Sequence, residues 1–251
     1  MTERVNSKTQ AQIVGEWDAL SETRLMQITG GKDITYNHTL IPAVQRLIGT
    51  KHVECAIDAG CGIGALTPIL KQGAQSVVGI DPSEKNINLA RRHFGKSADF
   101  HNLTLQAYVD AAPETRAQLV VANMVLMDVL DLAEFLRAAS SLLVINSLFI
   151  FTIPHPWFWP VYAGYSDQSW FDYKNECIIE APFGISRDRQ GVLISTHVHR
   201  PISKYFQALH ENNLHMVALE ELFPDTAVHH LYERKWMYPR YLAGKCVKVA
   251  G

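Results

Sequence analysis

Apolar positions along the chain change period several times, and each change predicts an element. Trp17, Leu20, Leu25 and Ile28 recur near helical spacing before Thr29-Gly30-Gly31, a stop signal, while residues 1 to about 12 read as loose. Leu40, Ile41, Val44, Leu47 and Ile48 predict a second helix. Val53 to Ile57, Val77 to Ile80, Gln118 to Met124 and Leu148 to Ile153 are short, nearly unbroken apolar runs, as strands buried on both faces require. A further strand is expected around Phe100 to Leu105. Helical stripes fall between these runs: Ala65, Leu66, Ile69 and Leu70; Ile87, Ala90 and Phe94, opened by Ser83 and closed by Gly95; and Leu132, Leu136, Ala139 and Leu143, opened by Asp131. Strands alternating with helices predict an α/β fold with a parallel sheet covered on both faces.

The rhythm breaks at residue 155. Residues 155 to 173, HPWFWPVYAGYSDQSWFDY, are dense in aromatic side chains. Glu176 to Ile185 and Val192 to His199 follow as β-rich runs joined by Ser186 to Gly191, a predicted hairpin. The segment reads as an insertion that covers a binding site, with an aromatic mini-core or a dimer contact as the competing account. The pattern then resumes, with a helix through Ile202, Tyr205, Phe206 and Leu209 and two final strands, Leu214 to Phe223 and Tyr241 to Val249. The expected division is a helical cap at 1–50, a ligand-binding core at 51–154, the insertion at 155–199 and the rest of the core sheet at 200–251.

Composition narrows the setting. With 23 Lys plus Arg against 25 Asp plus Glu and no run of like charge, a phosphate-tracking surface is not implied, and nucleic acid is disfavoured as a partner. Cys55, Cys61, Cys177 and Cys246 show neither metal-ligand nor disulfide spacing, so no metal is expected and reduced thiols in a cytoplasm are the simple account. The N-terminus is polar, and the longest apolar stretch, Leu142 to Ile153, is too short and too interrupted to span a bilayer, so no integral membrane segment is expected.

The candidate chemistry gathers around residues 53 to 70, VECAIDAGCGIGALTPIL. A strand ends in Asp58, a turn carries Gly60, Gly62 and Gly64, and a helix follows; such a loop offers backbone N–H groups and close approach to a ligand. Gly60-x-Gly62-x-x-Ala65 with Asp81 about twenty residues on also passes as a dinucleotide fingerprint. Asp58 separates the two readings. A carboxylate two residues before the first glycine repels a pyrophosphate but attracts the sulfonium and ammonium of S-adenosylmethionine. Asp81, followed by Pro82, closes the next strand, where a carboxylate can accept both hydroxyls of an adenosyl ribose.

Asp58 and Asp81 around D-A-G-C-G-I-G resemble the class I S-adenosylmethionine-dependent methyltransferases. VVANMVLMDVLDLAEFL with FTIPHPWFWP, extending through HRPISKYFQALHENN, is similar to a small-molecule branch of that class found in bacterial and natural-product metabolism. The resemblance covers the chain from about residue 16 and implies a Rossmann-like, seven-stranded, mostly parallel sheet with an antiparallel edge hairpin and S-adenosylmethionine as cofactor. It also implies that Gly60, Gly62 and Gly64 line the methionine part, Asp81 the ribose, and Asn123 with Met124 the sulfonium region. The first two helices would cap the cofactor. Tyr36 between them matches an aromatic that reaches it, although core packing accounts for Tyr36 equally well. The acid that such proteins place against adenine has no clean counterpart, with Asp110 and Gln106 both open.

Methyl transfer is an in-line displacement that needs an aligned, desolvated nucleophile, and a hydroxyl or acidic-carbon acceptor gains from a general base. His155, held in Pro154-His155-Pro156, is the first candidate base, and a turn-shaping histidine is its alternative; Asp128 is the second candidate. Trp17, Trp157, Trp159, Tyr162, Trp170 and His197 are expected to line the acceptor pocket, with His199 on the same hairpin face as His197. The expected activity is methylation at O or N of a small aromatic or amphipathic metabolite. C-methylation of a quinone or polyketide-like ring, and a non-catalytic cofactor-binding protein, stay open as alternatives, as does a homodimer.

Overall fold

A computed structural model describes residues 2–185, 192–233 and 235–251; the expected hairpin turn at 186–191 lies outside them. In chain order the elements are β1 (Glu3–Val5), α1 (Gln10–Thr29), a π-helical turn at Tyr36–Leu40, α2 (Ile41–Ile48), β2 (Val53–Ala59), α3 (Thr67–Lys71), β3 (Ala74–Ile80), α4 (Glu84–Phe94) and β4 (Asp99–His101). Then come α5 (Leu105–Ala111), β5 (Ala117–Asn123), α6 (Leu132–Leu142), β6 (Leu143–Pro154), α7 (Trp159–Ala163), β7 (Cys177–Pro182), β8 (Ile194–His199), α8 (Ile202–Glu211), β9 (Leu214–Leu222) and β10 (Tyr241–Lys248).

The main sheet has seven strands in the order β4-β3-β2-β5-β6-β10-β9, with β10 antiparallel to both of its neighbours. The chain builds outward from β2 through β3 to β4, then returns to lay β5 on the other side of β2. That reversal leaves a crevice beyond the carboxyl ends of β2 and β5, because the following connections leave toward opposite sides. Both faces of the sheet are packed. Ile57, Val120, Phe149 and Phe151 lie in one buried cluster with Leu136 and Leu142 of α6; Ala56, Val121 and Ile150 lie in another with Val44 and Leu47 of α2.

The helix starts follow the sequence. Ser83 accepts the N–H of Asn86, and Asp131 that of Glu134, each satisfying a donor that the first turn leaves without a carbonyl. Two expectations are corrected. The stretch expected to be loose is ordered from Glu3 on: β1 pairs with β7, and Thr9 forms a capping box with Gln12 at the start of α1. The strand expected to Leu105 ends at His101, because Thr104 accepts the N–H of Ala107 and opens α5 instead.

The inserted hairpin, β7 with β8, forms a separate three-stranded antiparallel sheet with β1. Lys8 pairs with Glu16 and Glu180, and Glu16 accepts the backbone N–H of Thr196 at 2.8 Å and its hydroxyl at 2.9 Å. These contacts lay α1 and the hairpin together across the crevice. No helix among the described residues is long and apolar enough to cross a membrane.

Candidate functional site

A cavity of about 690 Å³ opens at the carboxyl ends of β2, β3 and β5 and continues beneath α1 and the hairpin. Asp58, Gly60, Gly62, Asp81, Pro82, Asn123 and Met124 all reach its wall, and Tyr36 does so from the π-helical turn. The glycines divide the work. Gly62, at φ 52°, has open space where a Cβ would stand, so it presents bare backbone to the cavity. Gly64, at φ 82°, lies against Phe100 and Ala90 and serves packing; it does not reach the wall.

Asp81 is braced: Oδ2 accepts the N–H of Gly62 and Oδ1 that of Ser83, both at 2.9 Å. Burial pushes its pKa up to about 6 against the opposing effect of these donors. Asp58 is buried, and its Oδ2 has no hydrogen-bond partner among the described residues. Burial, and then the charge of Asp81, push Asp58 up to about 8. A buried oxygen without a donor costs stability until a ligand supplies one, and two carboxylates flanking open glycine backbone suit a cationic ligand with a diol. Met124 holds φ 60°, a strained value for a residue with a side chain, and its N–H donates to both the carbonyl and the hydroxyl of Thr152. Asn123 Oδ1 accepts from the same hydroxyl at 2.7 Å, which fixes the end of β5.

The far part of the cavity is enclosed by Trp17, Trp159, Tyr162, Phe183, Ile185 and Tyr241. Trp17 meets Phe183 edge-on, with centroids 5.9 Å apart, and its indole N–H donates to Asp128. Asp128 lines the same chamber, with its pKa raised by burial and by the nearby Glu16 charge. His197 also reaches the wall; Nε2 lies 3.2 Å from the Tyr165 hydroxyl, and burial pulls its pKa down to about 4, so the ring is neutral at pH 7.

Other expected residues stand elsewhere. His155 does not reach the cavity: Nδ1 accepts the N–H of Trp157 at 3.2 Å, Nε2 faces Glu221 at 3.1 Å, and the ring packs on Phe158. Its two nitrogens are thus engaged in the turn and on β9. Trp157 is 57 % exposed against Tyr173, and Trp170 packs on Tyr165, so both lie outside the chamber. His199 binds the Tyr173 carbonyl. At the opposite end Gln106 reaches the wall while Asp110 does not; Gln106 Nε2 donates to Asp110 at 2.8 Å.

Arg24 and Asp33 also line the cavity, and the sequence pattern does not single them out. They form a 2.9 Å ion pair on the wall, with the Arg24 guanidinium 5.3 Å from the Phe183 ring centroid. Arg24 lies seven residues after Trp17, two helical turns along the same face of α1, which is the pattern that could have found it.

A switch-point crevice, an open glycine turn and two strand-end acids define a class I S-adenosylmethionine-dependent methyltransferase, whose cofactor is S-adenosylmethionine. A family model described as a methyltransferase domain matches residues 33–219, and the chain belongs to that family. A ubiquinone biosynthesis O-methyltransferase of Methylocella silvestris is 42% identical over 90 residues, which are 34% of each chain, so the match spans about a third of that relative's length. Among solved structures, an S-adenosylmethionine-dependent methyltransferase from Listeria monocytogenes superposes with a TM-score of 0.66 at 21% identity, covering 82% of this chain and 94% of the other. The N-methyltransferase NodS of Bradyrhizobium japonicum, in complex with S-adenosyl-l-homocysteine, gives 0.54 at 11% identity, over 82% and 84%.

Proposed function

We propose that this chain transfers a methyl group from S-adenosylmethionine to a hydroxyl oxygen of a small aromatic or amphipathic molecule. The observation that carries the reading is one continuous cavity, running from the glycine turn to an aromatic chamber whose wall holds Asp128. The names of the curated relatives, ubiquinone biosynthesis O-methyltransferases, support oxygen over carbon or nitrogen.

When bound, the cofactor supplies a methyl carbon made electrophilic by a positively charged sulfur. Asp58 would take the ammonium with the oxygen that has no internal donor, and Arg24 would face the carboxylate. Asp81 would hold the ribose hydroxyls, Gln106 the adenine, and Asn123 with Met124 the wall beside the sulfur. Trp17, Phe183, Trp159 and Tyr162 would sandwich the acceptor and exclude water, raising the reactivity of its oxygen. Asp128 would accept the hydroxyl proton, since burial gives its carboxylate a stronger affinity for protons than an exposed one. Neutral His197, held by Tyr165, would orient the acceptor from the hairpin side.

The test is transfer of isotope-labelled methyl from S-adenosylmethionine to a panel of phenols and catechols, with the product bond located by mass spectrometry and NMR. Label on oxygen supports the reading. Label on ring carbon or nitrogen alone, or no transfer to any panel member, overturns it.

A further inference from the structure

The charge inventory of the cavity goes beyond naming its cofactor. Asp33, Asp58, Asp81, Asp128, Asp131 and Glu134 line the wall, whereas Arg24 is the sole Lys or Arg on it among the described residues. Arg24 is already engaged, by Asp33 at 2.9 Å and by Gln27 at 2.8 Å. Asp58 Oδ2, buried and without a protein donor, becomes a further charge once a cationic ligand binds beside it. Glu16 adds another carboxylate near Asp128, though it is tied to Lys8 and Thr196. S-adenosylmethionine brings one net positive charge (sulfonium and ammonium less carboxylate) and Arg24 a second, against six acidic residues on the wall.

We infer that the acceptor carries no anionic group: the cavity takes neutral or cationic hydroxylated aromatics and rejects those bearing a carboxylate or phosphate. The inference rests on the proposed function, since it concerns the same chamber. A second anion brought into a cavity already lined by acids meets repulsion, and no guanidinium or ammonium other than the paired Arg24 stands among the described wall residues to receive it. Rejection by like charge then narrows a chamber whose apolar walls alone would accept many planar molecules.

The experiment uses catechols that differ only in the group para to one hydroxyl: methyl, aminoethyl or carboxylate. Binding to the protein loaded with S-adenosylhomocysteine is followed by calorimetry, and kcat/KM is measured with S-adenosylmethionine. The expected result is that the carboxylate compound is weaker than the methyl compound by about ten-fold or more in both measurements, a factor that one extra like charge at close range readily supplies. A carboxylate compound that binds as tightly as the methyl compound, with oxygen methylation intact, overturns this inference and leaves the proposed function standing. Charge discrimination in binding without transfer to any catechol supports the inference and overturns the proposed function. Binding of none overturns both.

Discussion

The carboxylate of Asp81 accepts the backbone N–H of Gly62 at 2.9 Å, so the end of β3 holds the glycine turn that follows β2. Asp81 also accepts from Ser83, the residue that caps α4. One side chain therefore ties together two successive strand–helix connections at the sheet edge. Asp81→Ala should release both donors, lowering stability by about 1–3 kcal/mol and cofactor affinity by about thirty-fold or more. Asp81→Asn keeps an acceptor for one of the two and should fall between the variants in both respects. Calorimetric titration and denaturant unfolding of the three proteins check this; equal affinities would contradict it.

Asp58 gives a pH dependence whose sign is fixed by its direction of shift. Its pKa lies near 3.8 in the unfolded chain and about 8 in the folded one, so folding disfavours the charged form. The penalty is absent below about pH 4, grows as pH rises through the window between the two values, and is complete above about pH 8. Asp58→Asn should therefore stabilise the ligand-free protein above pH 7, by something on the order of 2–4 kcal/mol, and leave it nearly unchanged at pH 4. The same variant should lose S-adenosylmethionine affinity. In the native protein, binding near pH 7 should release a proton, seen as a buffer-dependent heat of binding.

Two glycines of the turn should respond in opposite ways. A Cβ at Gly64 would stand 2.8 Å from the Phe100 ring and 3.0 Å from the Ala90 Cβ, at a φ that disfavours any side chain. Gly64→Ala should cost about 2–4 kcal/mol of stability through overpacking and backbone strain. At Gly62 the Cβ meets nothing within 4 Å, and φ 52° is strained more mildly. Gly62→Ala should cost only about 1 kcal/mol of stability yet weaken the cofactor markedly. Thermal unfolding with and without S-adenosylhomocysteine separates the two effects.

The parallel core and glycine turn were legible because their information is local: a fully buried strand writes itself as an apolar run, and the turn's glycines and Asp58 sit within seven residues. What the pattern could not show depends on contacts far apart in the chain. The pairing of Glu3 with Glu180 turns an expected loose end into a strand, and which rings of the aromatic insertion reach the chamber wall (Trp159, Tyr162) and which only pack around Tyr165 (Trp170, Phe171) depends on which way each ring faces. His155 reads as a strand-end base because strand ends gather at the cavity. It misses the wall because the turn after β6 swings its ring toward β9, where Glu221 waits.

That placement yields a paired prediction for His155 and Asp128. The His155 ring accepts a turn N–H through Nδ1 and meets Glu221 through Nε2, with burial lowering its pKa against the Glu221 charge. A raised or lowered histidine pKa reaches the rate only if the group touches the reacting atoms, and this ring is outside the cavity. His155→Gln should cost about 1–2 kcal/mol of stability by disturbing the turn, while kcat and its pH profile stay within about two-fold of the native enzyme. Asp128→Asn keeps the shape of the residue and an oxygen for the Trp17 indole N–H, but removes the carboxylate that would take up the acceptor's proton. Its kcat should fall by about 100-fold or more, with cofactor affinity little changed, and the remaining rate should rise with pH as the acceptor ionises in solution. An acceptor of lower pKa should recover much of that loss, since it needs less help to shed its proton. If instead His155→Gln abolishes turnover in a folded protein and Asp128→Asn does not, the proton leaves by a route on the opposite side of β6 and the assignment of Asp128 fails.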